Sequence, residues 1–131
     1  MRNLAMFSLL MASFLFFTVE ASAQARTRVR FPAGTHGTSV KGTVRGYEYR
    51  DYVVGASAGQ KMIVTITASA MATVFTVLGP DGTNLDEGSE TDSFSGELPS
   101  KGDYVVRVMM MRSQARRKGS VSNYTLKITI K

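Results

Sequence analysis

The sequence predicts an all-β fold, an antiparallel β-sandwich or flattened barrel of about seven to eight strands. Three observations predict it. Apolar and polar residues alternate with period two in short runs, no long stretch repeats every 3.6 residues, and turn-forming clusters rich in Gly, Pro, Ser and Asp separate the runs.

Residues 1–23 stand apart from this pattern and read as an export signal. Arg2 supplies a positive start, residues 4–19 an apolar run interrupted by Ser8, Ser13 and Thr18, and Ala21-Ser22-Ala23 a small-residue cleavage site. Cleavage after Ala23 is expected, with Ala23-Gln24-Ala25 offering a second site after Ala25. The apolar run falls short of the roughly 20 residues that a spanning helix needs, so the mature form is expected to carry no membrane anchor. Residues 24–131 then make a single domain, delivered to the periplasm.

The strands follow in order. Thr27, Val29 and Phe31 alternate with Arg26, Arg28 and Arg30, the pattern of an edge strand whose outward charges discourage strand addition. Runs at 40–44 and 48–54 come next, separated by Gly46-Tyr47, with Tyr52 and Val54 facing inward. Residues 61–67 and 73–78 are rich in β-branched and aromatic side chains. Gly79-Pro80-Asp81-Gly82 is a turn, because Pro80 presets φ and Gly82 accepts a positive φ. A run at 91–98 leads into a second turn, Pro99-Ser100-Lys101-Gly102. In the strand over 103–108, Tyr104, Val106 and Val108, with Met110 beyond it, line one face while Arg107 points out. In the strand over 124–130, Tyr124, Leu126, Ile128 and Ile130 oppose Thr125, Lys127, Thr129 and Lys131.

The chain holds 16 basic and 10 acidic residues, a net charge of +6 that cleavage preserves because Arg2 and Glu20 leave together. The partner should therefore offer negative charge. There is no cysteine, so stability must come from packing and strand pairing, and lipidation at a cysteine after the signal is excluded.

Catalysis finds little support, and no cofactor is implied. The one histidine, His36, lies between Gly34 and Gly37 in a turn, which suits a solvated loop residue; a zinc site needs more ligands. Residues 55–59 spell G-x-S-x-G, but no histidine follows Ser57 and the segment runs into a strand rather than a helix, so it reads as a β-turn. Asp81, Asp86, Glu87, Glu90 and Asp92 cluster, without the alternating ligands and terminal Glu of a calcium loop. They read as a solvated acidic loop.

The even alternation breaks at 109–122. This connection carries Arg112, Arg116, Arg117 and Lys118, with no acidic residue after Asp103. Residues 111–118 can form one or two helical turns at most. A loop held on a rigid sheet is where binding function tends to sit. Export and the lack of an aromatic platform beside the arginines argue against nucleic acid. Two readings stay open for the arginines: an ordinary solvated surface, or insertion into an acidic concavity of another protein, where a guanidinium can bind a carboxylate through two hydrogen bonds.

From Gly46 onward the chain resembles the periplasmic inhibitors of g-type lysozyme. The resemblance rests on Gly46-Tyr47-Glu48-Tyr49, Tyr52 with the Ala58-Gly59-Gln60-Lys61 turn, Leu98-Pro99-Ser100-Lys101-Gly102-Asp103-Tyr104 followed by Arg107-Val108, Arg112-Ser113-Gln114-Ala115-Arg116-Arg117, and the closing 124–131 strand. It covers most of the mature domain; the first strands and the 81–92 loop match poorly. The Gly-Gln-Lys turn and the Gly-x-Tyr-x-x-Arg-Val strand also occur in β-sandwich modules appended to secreted peptidases. An alternative is therefore a non-catalytic module that binds cell envelope or polysaccharide.

The resemblance implies a non-enzymatic inhibitor that acts in host defence evasion, its loops entering the substrate cleft of a lysozyme and covering the catalytic glutamate. On matching positions it implies Arg112 and Arg116 as the cations directed to the cleft, Tyr47 as an aromatic contact, and Ser100 with Tyr104 as a further lysozyme-binding loop. Tyr104 equally suits core packing with a hydrogen bond at the strand end, and Ser100 equally suits shaping its turn. Arg117 and Lys118 are left as rim charges, and Met109 and Met111 as adaptable apolar support.

Overall fold

A computed structural model describes residues 26–86 and 91–131. The expected signal segment, its cleavage sites, Glu87 and Glu90 lie outside the described residues. Eight strands and one helical turn follow in order: β1 (Arg26–Arg28), β2 (Gly37–Arg45), β3 (Tyr49–Ala56), β4 (Lys61–Ala68), β5 (Thr73–Leu78), β6 (Ser93–Glu97), β7 (Gly102–Met110), α1 (Arg112–Ala115) and β8 (Val121–Ile130). They form two four-stranded sheets, ordered β1-β3-β7-β5 and β2-β8-β4-β6. The architecture is a sandwich, not a closed barrel. Odd strands make one sheet and even strands the other, so every connection between consecutive strands passes from sheet to sheet over an end or edge of the sandwich.

The period-two pattern sends one row of each strand inward. Tyr52 and Val54 of β3, Phe75 and Val77 of β5, and Tyr104, Val106, Val108 and Met110 of β7 meet Val44, Met62, Val64, Ile66, Tyr124, Leu126, Ile128 and Ile130 from the other sheet. Each such fully buried aliphatic side chain contributes about 1.5–3 kcal/mol relative to exposure, which lets the domain fold without disulfides. Inside this core the Tyr52 and Tyr124 hydroxyls share a hydrogen bond, with the rings edge to face at 6.3 Å. Gly42 makes room for them: a β-carbon there would stand 2.8 Å from the Tyr52 hydroxyl and closer to that of Tyr124. This explains why β2 runs through a glycine. The strand also extends beyond the expected 40–44, paired with β8 from Gly37↔Thr129 to Arg45↔Val121.

The first strand departs from expectation. Instead of running to Phe31, β1 stops at Arg28, and it pairs with β3 in parallel, the last bond being from the Val29 amide to the Val53 carbonyl at 2.8 Å. Pro32 has no amide to donate and restricts the residue before it, so the chain leaves the sheet there. The edge position holds. Its arginines are tied to the sheet they flank, Arg28 to Asp103 at 2.6 Å and Arg26 to Asp51 at 3.5 Å.

At the centre of the outer face of this sheet, Asp51 is buried and Arg107 donates to both of its oxygens, at 2.8 and 3.0 Å. These bonds raise the guanidinium pKa further above its ordinary value. Arg107 also lies 4.2 Å from the centroid of the Tyr49 ring, so its position is set from two sides.

Candidate functional site

Strand direction decides which connections share an end. β2 and β4 run toward one end and β3, β5 and β8 away from it, so the 46–48, 69–72 and 111–120 connections meet there. β5 and β6 run the same way, because residues 79–92 return alongside β5 before β6 begins. Phe75 and Thr91 exchange backbone hydrogen bonds, and the Leu85 amide donates to the Val77 carbonyl. This return places the 98–101 turn at the opposite end.

The basic connection is shorter than the expected 109–122. Met109 and Met110 belong to β7, where they pair with Tyr49, Val74 and Thr73, and β8 begins at Val121 opposite Arg45. Between them the Ala115 amide donates to the Met111 carbonyl at 2.8 Å and that of Arg116 to the Arg112 carbonyl at 3.1 Å, giving a single α-turn. Its apolar Ala115 is buried, which directs Arg112 and Arg116, four residues apart, to the exposed side. Gly119, with φ 73, and the Ser120 amide bonded to the Arg117 carbonyl return the chain to β8. The Gln114 side-chain amide also donates to the Ser120 hydroxyl at 3.2 Å, closing the connection on itself.

The neighbouring connections are bonded to this one. In the 46–48 turn Gly46 has φ 56, the Glu48 amide donates to the Arg45 carbonyl at 3.0 Å, and the Gly46 amide donates to the Ser120 carbonyl at 2.9 Å. On the other side, the Met111 amide donates to the Ala72 carbonyl at 2.8 Å. Tyr47 is 65% exposed and, with Tyr49, Arg107, Met109, Met110 and Arg112, lines a hollow of about 340 Å³. Arg45 and Arg117 line a second hollow against Gly46 and Val121.

Charge and apolar surface coincide here. Arg45, Arg112, Arg116, Arg117 and Lys118 are exposed, and among the described residues none of them forms a salt bridge. The three connections contain one acidic residue, Glu48. The large apolar side chains exposed among the described residues are Tyr47, Met71, Met111 and Val121, and all four sit at this end. A patch of exposed apolar groups interleaved with unpaired cations is the composition of a protein-binding surface.

The structure thus brings Tyr47, Arg112 and Arg116 to one end and leaves Ser100 and Tyr104 at the other. About 20 Å of extended β7 separates Tyr104 from Met110. Tyr104 is fully buried; its hydroxyl donates to the Ser100 carbonyl and accepts from the Ser100 amide at 3.2 Å. That pair pins the 98–101 turn. His36 is exposed at the same far end, and Ser57 lies in a turn closed by the Gln60 amide on its carbonyl, with β4 following directly. Asp81 accepts from the Thr83 amide and hydroxyl, at 3.0 and 2.8 Å, and these bonds lower its pKa; Asp86 accepts from the Thr76 hydroxyl.

No family model matches the chain. The inhibitor of g-type lysozyme of Escherichia coli (strain K12) is 30% identical over 125 residues, covering 89% of this chain and 90% of that protein. The chain belongs to the g-type lysozyme inhibitor family. The crystal structure of Aeromonas hydrophila PliG, a periplasmic inhibitor of g-type lysozyme, superposes with a TM-score of 0.71 at 29% identity, over 82% of this chain and 96% of that one. Salmonella Typhimurium PliG gives 0.63 at 28% identity, over 82% and 98%. A pre-peptidase C-terminal domain of a Bacillus anthracis collagenase reaches 0.52 at 10% identity, over 82% of this chain and 96% of that chain, a likeness of fold alone.

Met71, Val121 and Arg45 also lie exposed at this end, and the sequence reading did not single them out. Nothing in their local sequence marks them. Their shared end follows from strand direction, which the pattern of single strands does not carry.

Proposed function

We propose that this protein is a periplasmic inhibitor of g-type lysozyme, exported by a cleaved signal, and that it acts by presenting the Tyr47 and Arg112 end of the sandwich to the enzyme's cleft. The observation that carries this reading is the shared hollow of Tyr47 and Arg112, on the end where unpaired cations and exposed apolar side chains coincide. A lysozyme cleft holds a carboxyl group poised as general acid. A guanidinium delivered there pairs with its ionised form in a partly dried site, and the bonded connections hold Arg112 and Arg116 in place before contact, which lowers the ordering cost of association. Arg112 and Arg116 are the cleft-directed cations, Tyr47 their aromatic neighbour, and Arg117 and Lys118 rim charges. Ser100 and Tyr104 shape their own turn.

The test is a cell-wall lysis assay. The mature protein should block a g-type lysozyme and spare a c-type one, and Arg112→Ala should weaken the block. Wall binding with undiminished lysozyme turnover would instead favour a cell-envelope binding module.

A further inference from the structure

Met71 is fully in water, at 101% relative exposure. A single exposed apolar side chain is ordinary. Met71, however, shares its end of the sandwich with Tyr47, Met111 and Val121, and these four come from three separate connections and the strand that follows one of them. Residues 69–72 add nothing to the core through Met71, yet their backbone is tightly held. The Ser69 amide donates to the Asn123 carbonyl at 2.9 Å, and the Asn123 amide returns to the Ser69 hydroxyl at 3.0 Å. The Thr73 amide closes the turn on the Ala70 carbonyl at 3.1 Å. Beneath it, the buried Thr73 hydroxyl donates to the buried Ser122 hydroxyl at 2.6 Å, and Ser122 also accepts from the Ala70 amide at 3.4 Å. The bond from Met111 to Ala72 then joins this turn to the basic connection.

Resting on the inhibitor reading, we infer that the 69–72 turn is a third contact element and that Met71 is its apolar anchor against the lysozyme. A flexible, polarizable thioether on a fixed backbone can fit an apolar or aromatic patch at the rim of the cleft while the arginines reach the carboxylates. Continuity with the cationic surface selects this occupant over a second copy of the chain, because two such ends, each with five unpaired cations, repel at contact.

The experiment compares wild type, Met71→Ser, Met71→Leu and Arg112→Ala as inhibitors of a g-type lysozyme at two salt concentrations, with thermal unfolding measured alongside. Met71→Ser should raise the inhibition constant about ten-fold, mainly through faster dissociation, with an unchanged Tm and an unchanged salt dependence; Met71→Leu should stay within about two-fold. Arg112→Ala should instead flatten the salt dependence. Met71→Ser inhibiting like wild type while Arg112→Ala is weakened would overturn the Met71 assignment and leave the inhibitor reading standing. A loss in both Met71 variants with a lowered Tm would also overturn it, in favour of a structural role. A wild-type protein that inhibits no g-type lysozyme would remove the inhibitor reading, and this inference with it.

Discussion

The Gly46 amide donates to the Ser120 carbonyl at 2.9 Å, which ties the turn carrying Tyr47 to the end of the basic connection. The bond depends on a backbone conformation, since Gly46 has φ 56, where an L side chain costs about 1–2 kcal/mol. Space is no obstacle: a β-carbon would meet only the Ala115 carbonyl, at 3.8 Å. Gly46→Ala should therefore lower unfolding stability by about 1 kcal/mol and raise the inhibition constant several-fold as Tyr47 is re-aimed, whereas Gly46→Asn should cost less of both. Urea unfolding and the lysis assay read the two effects separately.

Arg112→Ala and Arg116→Ala remove exposed, unpaired cations, so each should leave unfolding within about 1 kcal/mol of wild type while weakening inhibition. On the proposed function, the attraction acts locally, between loop guanidinium groups and cleft carboxylates. Added salt should slow association moderately and leave the complex intact, measured by stopped-flow or surface binding. A collapse as steep as that of a phosphate-backbone binder would contradict this picture.

Alternation made most of the sandwich legible. The inward row Tyr104, Val106, Val108 and Met110 follows from period-two patterning, which reports burial on one face, whereas the strand Thr73–Leu78, buried without a break over 73–77, was legible from its β-branched and aromatic composition. The parallel pairing of β1 was not legible, because three residues carry too little pattern to state a partner. At the site, Arg112 and Arg116 stood out as charges on a break in alternation, and Tyr47 came from family resemblance. Resemblance also grouped Ser100 and Tyr104 with them. Geometry separates the two sets because the 79–92 return makes β5 and β6 run the same way, a topological fact with no local signature. Met71 was hidden for a related reason: a methionine between strands reads like any core methionine until its neighbours in space are known.

Asp51 is the buried carboxylate of the sheet, held by Arg107 and approached by Arg26. Asp51→Ala would leave the Arg107 guanidinium without its acceptor. Removing one partner of a fully buried pair costs about 3–5 kcal/mol; the Arg107 side chain keeps 30% exposure, so water compensates in part and about 2–3 kcal/mol is expected. The urea midpoint should fall accordingly. Because Asp51 fixes Arg107, which lines the hollow beside Tyr47 and Arg112, inhibition should weaken along with the loss of stability.

Acid should loosen β1 before the rest of the sandwich. The Arg28 hydrogen bonds to Asp103, at 2.6 and 3.2 Å, hold the Asp103 carboxyl below its ordinary pKa of 3.8. A carboxylate whose folded pKa is depressed contributes stability that is fully present above the unfolded value and is lost as pH falls through the folded one. Arg28 stays protonated throughout, so the titrating partner is Asp103. Below about pH 4 the tie weakens, and the Val29 amide, bonded to the Val53 carbonyl, should exchange faster with solvent than amides of β7 or β8. Asp81 is also depressed, but its bonds close the 81–83 turn, away from β1. Asp103→Asn separates the two: it should give fast Val29 exchange already at neutral pH and remove the additional acid-induced rise there. An unchanged acid response in that variant would mean that β1 is held by something other than this pair.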